Sequence, residues 1–138
     1  MSFSKEKHES KEIAYAINLN TLDFIGAELG DAKTVDVSPL IEKMRGSSCI
    51  FIVLHNHPCN GPFSYRDLNT FFDTPNMAIL MVVGNKGTMY IIEKVNKKII
   101  DEDYLLIKKV LISFRKYEIS FDEAIQRLIK HGVTYSSI

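Results

Sequence analysis

Two histidines one residue apart, His55 and His57, follow an unbroken apolar run in the stretch CIFIVLHNHP. The run from Cys49 to Leu54 is typical of a strand buried on both faces, so the histidines are expected where that strand reaches the surface. Side chains two apart on a strand point to the same side, which lets both imidazoles reach one metal ion. The spacing therefore makes His55 and His57 candidate metal ligands.

An acidic residue at the start of the next predicted helix could complete the ligand set. After a turn rich in proline and glycine, Leu68, Phe71 and Phe72 recur at helical spacing, which places Asp67 in the first turn of a helix beside the histidines. Two histidines and one aspartate with a fourth position open are a ligand set of catalytic zinc. The Ser64-x-x-Asp67 spacing is also that of a plain capping box, and capping and ligation can coexist because they use different atoms.

The first predicted strand begins at a second acidic residue, Glu12. Apolar and small or polar residues alternate from Glu12 to Leu19, which is the period of a strand, and Phe24 to Leu29 can return as its hairpin partner. Glu12 then lies at a strand start, on the side with small residues, where a metal or a substrate could approach. Glu28 on the second strand is the alternative acid.

Together these residues resemble the JAMM motif of the JAB/MPN metalloprotease-like domains, and His-Asn-His-Pro resembles the bacterial RadC-like branch of that family. The resemblance implies that His55, His57 and Asp67 bind zinc. It also implies that Glu12 holds and deprotonates the zinc-bound water and that Ser64 stabilises the tetrahedral intermediate. Nine residues separate His57 from Asp67, one fewer than the family pattern, and the shortening falls in the loop before Ser64.

The function that the resemblance implies is zinc-dependent hydrolysis of peptide or isopeptide bonds, with a peptide or a ubiquitin-like protein conjugate as substrate. One alternative is a non-catalytic MPN-type interaction module that holds no metal, and another is a RadC-like protein that acts in DNA repair. A third is a different hydrolase in which Cys59 is the nucleophile or a soft ligand.

Composition restricts the classes of partner. The chain has 138 residues, 46% of them hydrophobic and 25% charged, which is typical of a globular protein and predicts a single domain over 1–138. The formal net charge of zero gives no general attraction to nucleic acid or to an anionic membrane, so neither is expected as a partner. No apolar run is long enough to span a membrane, the N-terminus is too polar for a secretory signal, and two cysteines make no disulfide framework. We therefore expect a cytoplasmic protein.

The element pattern predicts an α/β fold. Five strands are expected over 12–19, 24–29, 49–54, 77–83 and 88–95. Helices between the second and third strands, from Ser38 to Gly46, and between the third and fourth strands would sandwich a mixed sheet. The resemblance implies this JAB/MPN, cytidine-deaminase-like architecture for a metal-binding core over 12–95. The segment 101–131 is predicted to form a C-terminal pair of helices that cover the sheet.

Overall fold

The computed structural model describes residues 12–29, 38–57, 61–84 and 86–138. In chain order the strands and helices are β1 (Ile13–Asn18), β2 (Phe24–Leu29), α1 (Ser38–Arg45), β3 (Phe51–His57), α2 (Tyr65–Asp73), β4 (Met77–Gly84), β5 (Met89–Lys94), α3 (Lys97–Glu102), α4 (Tyr104–Arg115), α5 (Phe121–Leu128), a 3-10 turn (Ile129–His131) and β6 (Val133–Ser137). Among the described helices, none combines the length and apolar composition that a membrane crossing needs.

The strands form one mixed sheet in the order β2-β1-β3-β4-β5-β6. Among the described strands, only β3 and β4 are parallel neighbours. They are joined by the crossover helix α2, because parallel neighbours cannot be connected by a tight turn. The coarse prediction of an α/β fold with a mixed sheet is confirmed. β3 lies inside the sheet, so the strand that ends in the two histidines is flanked by β1 and β4.

One row of paired residues across the sheet shows which face the helices cover. The row consists of Gly26, Ala16, Val53, Leu80, Ile92 and Tyr135. Paired residues share a face. At one end of the row, a Cβ on Gly26 would lie 3.0 Å from Leu40 Cδ2 of α1. At the other end, the ring of Phe121 in α5 lies 5.8 Å from that of Tyr135. The first and the last long helices therefore pack on the same face.

Of the predicted sandwich, the described residues show the mixed sheet and place α1 and α5 on one of its faces. The neighbouring row, Tyr15, Leu54, Met81 and Ile91, points to the opposite face, and each of these side chains is only half-buried. An apolar run such as that of β3 shows that both faces of a strand are apolar, but not that both are covered equally.

The C-terminal third differs from its prediction in two ways. The single helix expected from Asp101 divides at Asp103 into α3 and α4. After α5, β6 adds a sixth strand that no sequence signal indicated, and it pairs antiparallel with β5. Its five residues include only one that is fully buried, Val133, so its apolar pattern is too short to be recognised.

Candidate metal centre

The end of β3 brings the two predicted histidines to one side of the sheet. The rings of His55 and His57 lie with their centroids 4.8 Å apart. Asn56 between them points the other way, and its Oδ1 accepts a hydrogen bond from the Ile13 backbone N–H at 2.6 Å. The buried Asn56 therefore holds the end of β3 against the start of β1, which aligns the histidines with the beginning of the first strand.

Helix α2 places Asp67 against both imidazoles. Asp67 Oδ1 lies 3.1 Å from His55 Nε2, and Asp67 Oδ2 lies 3.2 Å from His57 Nε2. The predicted capping box is also present, because Ser64 Oγ accepts a hydrogen bond from Asp67 N at 3.1 Å and Ser64 N donates to Asp67 Oδ2 at 2.8 Å. The shortened loop thus keeps Asp67 beside the histidines, and one carboxylate both caps its helix and contacts the two rings.

The start of β1 contributes Glu12, on the same side of the sheet as the histidines. Glu12 is buried, and its Oε1 lies 3.8 Å from His57 Nε2. It shares its side of β1 with Ala14, which lies directly opposite His55 and adds only a methyl group next to the imidazole. The alternative acid, Glu28, pairs with Ala14 from β2 and is therefore one strand further from the histidines.

Glu12, His55 and His57 can hold a metal ion, because one donor atom from each lies within 4.8 Å of the others. Asp67 is not in that group, but each of its oxygens lies close to one imidazole, Oδ1 at 3.1 Å from His55 Nε2 and Oδ2 at 3.2 Å from His57 Nε2. Two ligands with bonds of about 2.0 to 2.1 Å to a tetrahedral zinc ion lie roughly 3.3 Å apart. The Glu12 carboxylate and the two imidazoles are therefore within reach of one position, and each Asp67 oxygen lies close to this spacing from one imidazole.

A hydrogen bond on the far side of His57 determines which nitrogen faces this position. His57 Nδ1 lies 3.0 Å from the carbonyl oxygen of Gly61, which can only accept, so Nδ1 carries a hydrogen. In the neutral imidazole, Nε2 is then an acceptor, and it faces the carboxylate oxygens of Asp67 and Glu12. Acceptors that face one another require a cation between them, which is either a second proton on His57 or a metal ion.

The charges of the site stabilise such a cation. Burial lowers the pKa of His57, but the hydrogen bond and negative charge of Asp67 outweigh it and leave the pKa raised. Burial raises the pKa of Asp67, but its hydrogen bonds to His55 and His57 outweigh it and hold the pKa well below the usual range. Asp67 is therefore ionised at neutral pH, and a metal ion that binds here competes with a proton on His57.

Sequence reasoning missed two groups that position the ligands, the Asn56 amide and the Gly61 carbonyl. A buried polar side chain within an apolar strand is a signal that could have indicated Asn56, since such a group needs a partner. A backbone carbonyl leaves no signal in the sequence. Cys59, the alternative nucleophile, lies outside the described residues.

Comparison with family models, with curated proteins and with solved structures finds no match for this chain. The likeness to JAB/MPN domains therefore rests on the motif residues alone. What the fold and the site define is an α/β protein with a group of histidine and carboxylate side chains that can hold a metal ion.

Proposed function

We propose that the protein is a zinc-dependent hydrolase of peptide or isopeptide bonds, of the JAMM type seen in RadC-like proteins. The observation that carries this proposal is the arrangement around His57 Nε2, an acceptor that faces two carboxylates. The donor set also suits zinc, which takes imidazole nitrogen and carboxylate oxygen and keeps an open position in catalytic sites.

The ligands in this proposal are His55, His57 and Asp67. Asp67 Oδ1 lies 3.1 Å from His55 Nε2 and Asp67 Oδ2 lies 3.2 Å from His57 Nε2. Glu12 Oε1 lies further away, at 3.8 Å from His57 Nε2. The wider separation leaves Glu12 as a base beside the ion rather than a ligand. The Nδ1 bond of His57 to Gly61 is the kind of outer contact that fixes the tautomer and orientation of a ligating imidazole.

When bound, zinc supplies a Lewis acid for the scissile carbonyl and lowers the pKa of a coordinated water from about 15.7 toward 7. The Glu12 carboxylate, buried beside His57, accepts the proton of the attacking water and transfers it to the leaving amine. The Ser64 oxygen accepts from Asp67 N, so its own hydrogen is available to the developing oxyanion.

Metal analysis tests the ligand set. After reconstitution with zinc, the wild-type protein should hold about one ion per chain, while His55→Ala and Asp67→Asn should lose it, because two remaining ligands are too few for tight binding. Glu123→Gln is the matched control, since Glu123 follows the Ser120 cap of α5 as Asp67 follows the Ser64 cap of α2. It should retain zinc.

Two outcomes would contradict the proposal in different ways. If the wild-type protein stays free of metal after reconstitution, it is not a zinc-dependent hydrolase. A protein that binds zinc but hydrolyses no peptide, isopeptide or ubiquitin-like conjugate in the zinc-loaded form favours the non-catalytic interaction module. Protein stripped of metal with a chelator provides the background rate.

A further inference from the structure

A groove of about 260 Å³ runs along one side of α4, and none of its lining residues belongs to the metal centre. Its α4 wall consists of Leu106, Lys109, Val110 and Ser113. These residues are spaced i, i+3, i+4 and i+7 and so form a single stripe along the helix. At 1.5 Å per residue the stripe is about 10 Å long, which is roughly the length of three residues of extended peptide.

The opposite wall is basic. It consists of Arg127 from α5 with Lys130 and His131 from the 3-10 turn. Carboxylates outside the groove pair with two of these groups: Glu123 with Arg127, and Asp103 Oδ2 with His131 Nδ1 at 2.7 Å. These two pairs hold their basic groups at the edge of the groove without placing an acidic side chain in its lining.

Positive charge remains on both walls. Lys109 on α4 and Lys130 on the facing turn have no carboxylate within ion-pair distance among the residues that the structure describes. Between them the floor is apolar, since it consists of Val110, which is nearly buried, and Leu106, which is 50% exposed. A ligand that fits must therefore combine negative charge with at least one apolar group.

The His131 and Asp103 pair does not make the groove a second hydrolytic site. A nucleophilic serine must lie within hydrogen-bond reach of the histidine that the aspartate orients. Ser113 follows Asp103 by ten residues along α4. This separation corresponds to about 15 Å along a helix, so the groove is suited to binding and not to acyl transfer.

We propose that this groove binds an extended acidic segment of a protein, with carboxylates paired to Lys109 and Lys130 and an apolar side chain placed on Leu106 and Val110. A single-stranded nucleic acid fits less well, because the described residues that line the groove include no aromatic side chain for bases to stack on. The proposal is independent of the metal centre, and its test needs no hydrolytic activity.

Fluorescence anisotropy with a short labelled peptide of alternating glutamate and leucine tests the proposal. Binding should saturate and weaken as salt is added. Replacing the glutamates by glutamine, or the leucines by serine, should weaken it by roughly tenfold or more. In the chain of 138 residues, the double variant Lys109→Glu/Lys130→Glu should weaken binding similarly, while Lys98→Glu, at an 85% exposed side chain on α3, should not.

Leu106→Ser tests the apolar contact without disturbing the core, because Leu106 is half exposed and its replacement removes only that contact with the peptide. Thermal melting confirms that each variant is folded. The proposal is overturned if the wild-type protein shows no saturable binding, if Lys98→Glu weakens it as much as the groove variants do, or if a single-stranded oligonucleotide binds more tightly than the peptide.

Discussion

His57 Nε2 meets two carboxylates at different distances, Asp67 at 3.2 Å and Glu12 at 3.8 Å. In the proposed mechanism, this difference is the physical basis for assigning Asp67 to the zinc ion and Glu12 to the attacking water. Both acids approach from different elements, α2 and β1, so either can be altered while the other stays in place. The assignment can therefore be tested by changing one carboxylate at a time.

We predict that Glu12→Gln retains zinc and lowers hydrolysis by about 10² to 10⁴-fold, because the amide keeps the size of the side chain but accepts no proton. Zinc content and the turnover rate are measured on the same preparation. Glu28→Gln, which alters the acid one strand further away, should change neither. Loss of zinc from Glu12→Gln would instead identify Glu12 as a ligand.

The sequence could predict where these side chains lie because local geometry determines where they point. Alternation along a strand is enough to put His55 and His57 on one side and Glu12 with the small residues of β1. The choice between Glu12 and Glu28 could not be derived in the same way, since it depends on which strand lies next to β3. The structure places β1 between β2 and β3, which brings Glu12 to the histidines and leaves Glu28 further away.

Among the elements, α2 carries the site at its first turn and is held at its last. Lys94 Nζ on β5 donates to the carbonyl oxygens of Phe71 and Thr74, both at 2.7 Å, and these oxygens also accept from the backbone N–H groups of Thr74 and Met77. Lys108 on α4 forms an ion pair with Asp73 at 2.6 Å. Contacts at both ends therefore fix the helix that presents Asp67 to the histidines.

The two serine caps allow the effect of the capping box on the site to be separated from its effect on stability. Ser64→Ala and Ser120→Ala each remove a hydrogen bond of 3.1 Å to a helical N–H, so each should lower the free energy of unfolding by about 0.5 to 2 kcal/mol. Only Ser64→Ala should also weaken zinc binding, because Asp67 belongs to that box. Urea unfolding and zinc titration measure the two effects. Equal zinc affinity in both variants would show that the cap does not position Asp67.

Lys94 gives a prediction for pH. Burial, together with the charge of Lys97, lowers the pKa of Lys94 to about 7 from 10.5. Between these values the unfolded chain binds more protons than the folded chain, so the contribution of Lys94 makes the free energy of unfolding rise with pH through this window. Lys94→Met should flatten that rise and, by removing the two hydrogen bonds that Lys94 Nζ donates to the carbonyl oxygens of Phe71 and Thr74, cost about 1 to 3 kcal/mol.

Urea unfolding at several pH values between about 7 and 10 measures this dependence. Lys98→Met is the control, because Lys98 is 85% exposed and lies outside the contacts of α2. A wild-type protein and a Lys94→Met variant with the same slope would show that Lys94 does not titrate in this range.

Strands and helices were predicted correctly where a strong local sequence signal marks them. The prediction failed where the apolar pattern continues across the boundary between two helices. The apolar run of β3 and the cap of α2 mark those elements directly. The apolar pattern continues across Asp103, which is neither glycine nor proline, so nothing in the sequence indicated the division between α3 and α4. Coverage of the second sheet face depends on how helices pack, and strand periodicity contains no information about that.

At the scale of the whole molecule, hydrogen bonds join the C-terminal third to the sheet through β6. The last residue of this third exchanges backbone hydrogen bonds with Met89, since Met89 N donates to Ile138 O at 3.0 Å and Ile138 N donates to Met89 O at 2.9 Å. The Gly132 carbonyl, just before β6, accepts from Val95 N at 2.9 Å and Asn96 N at 3.0 Å. These bonds join the end of the chain to β5 and to the start of α3.

Two glycines with the same backbone conformation test how tightly this junction is packed. Gly132 has a φ of 94° and Gly87 a φ of 89°, so alanine at either position incurs a similar cost of about 1 kcal/mol for the left-handed conformation. A Cβ on Gly132 would lie 2.6 Å from Asn96 O and 2.9 Å from Ile100 Cγ1, whereas a Cβ on Gly87 meets no atom within 4 Å.

We therefore expect Gly132→Ala to lower the free energy of unfolding by about 1 to 3 kcal/mol more than Gly87→Ala does, because the backbone oxygen of Asn96 cannot move without disturbing the start of α3. Urea unfolding of both variants measures the difference between their free energies of unfolding. The cost of the left-handed conformation is common to both variants and cancels in this difference. Equal losses would mean that the turn before β6 can shift away from α3, and the last strand would then be only loosely joined to the rest of the fold.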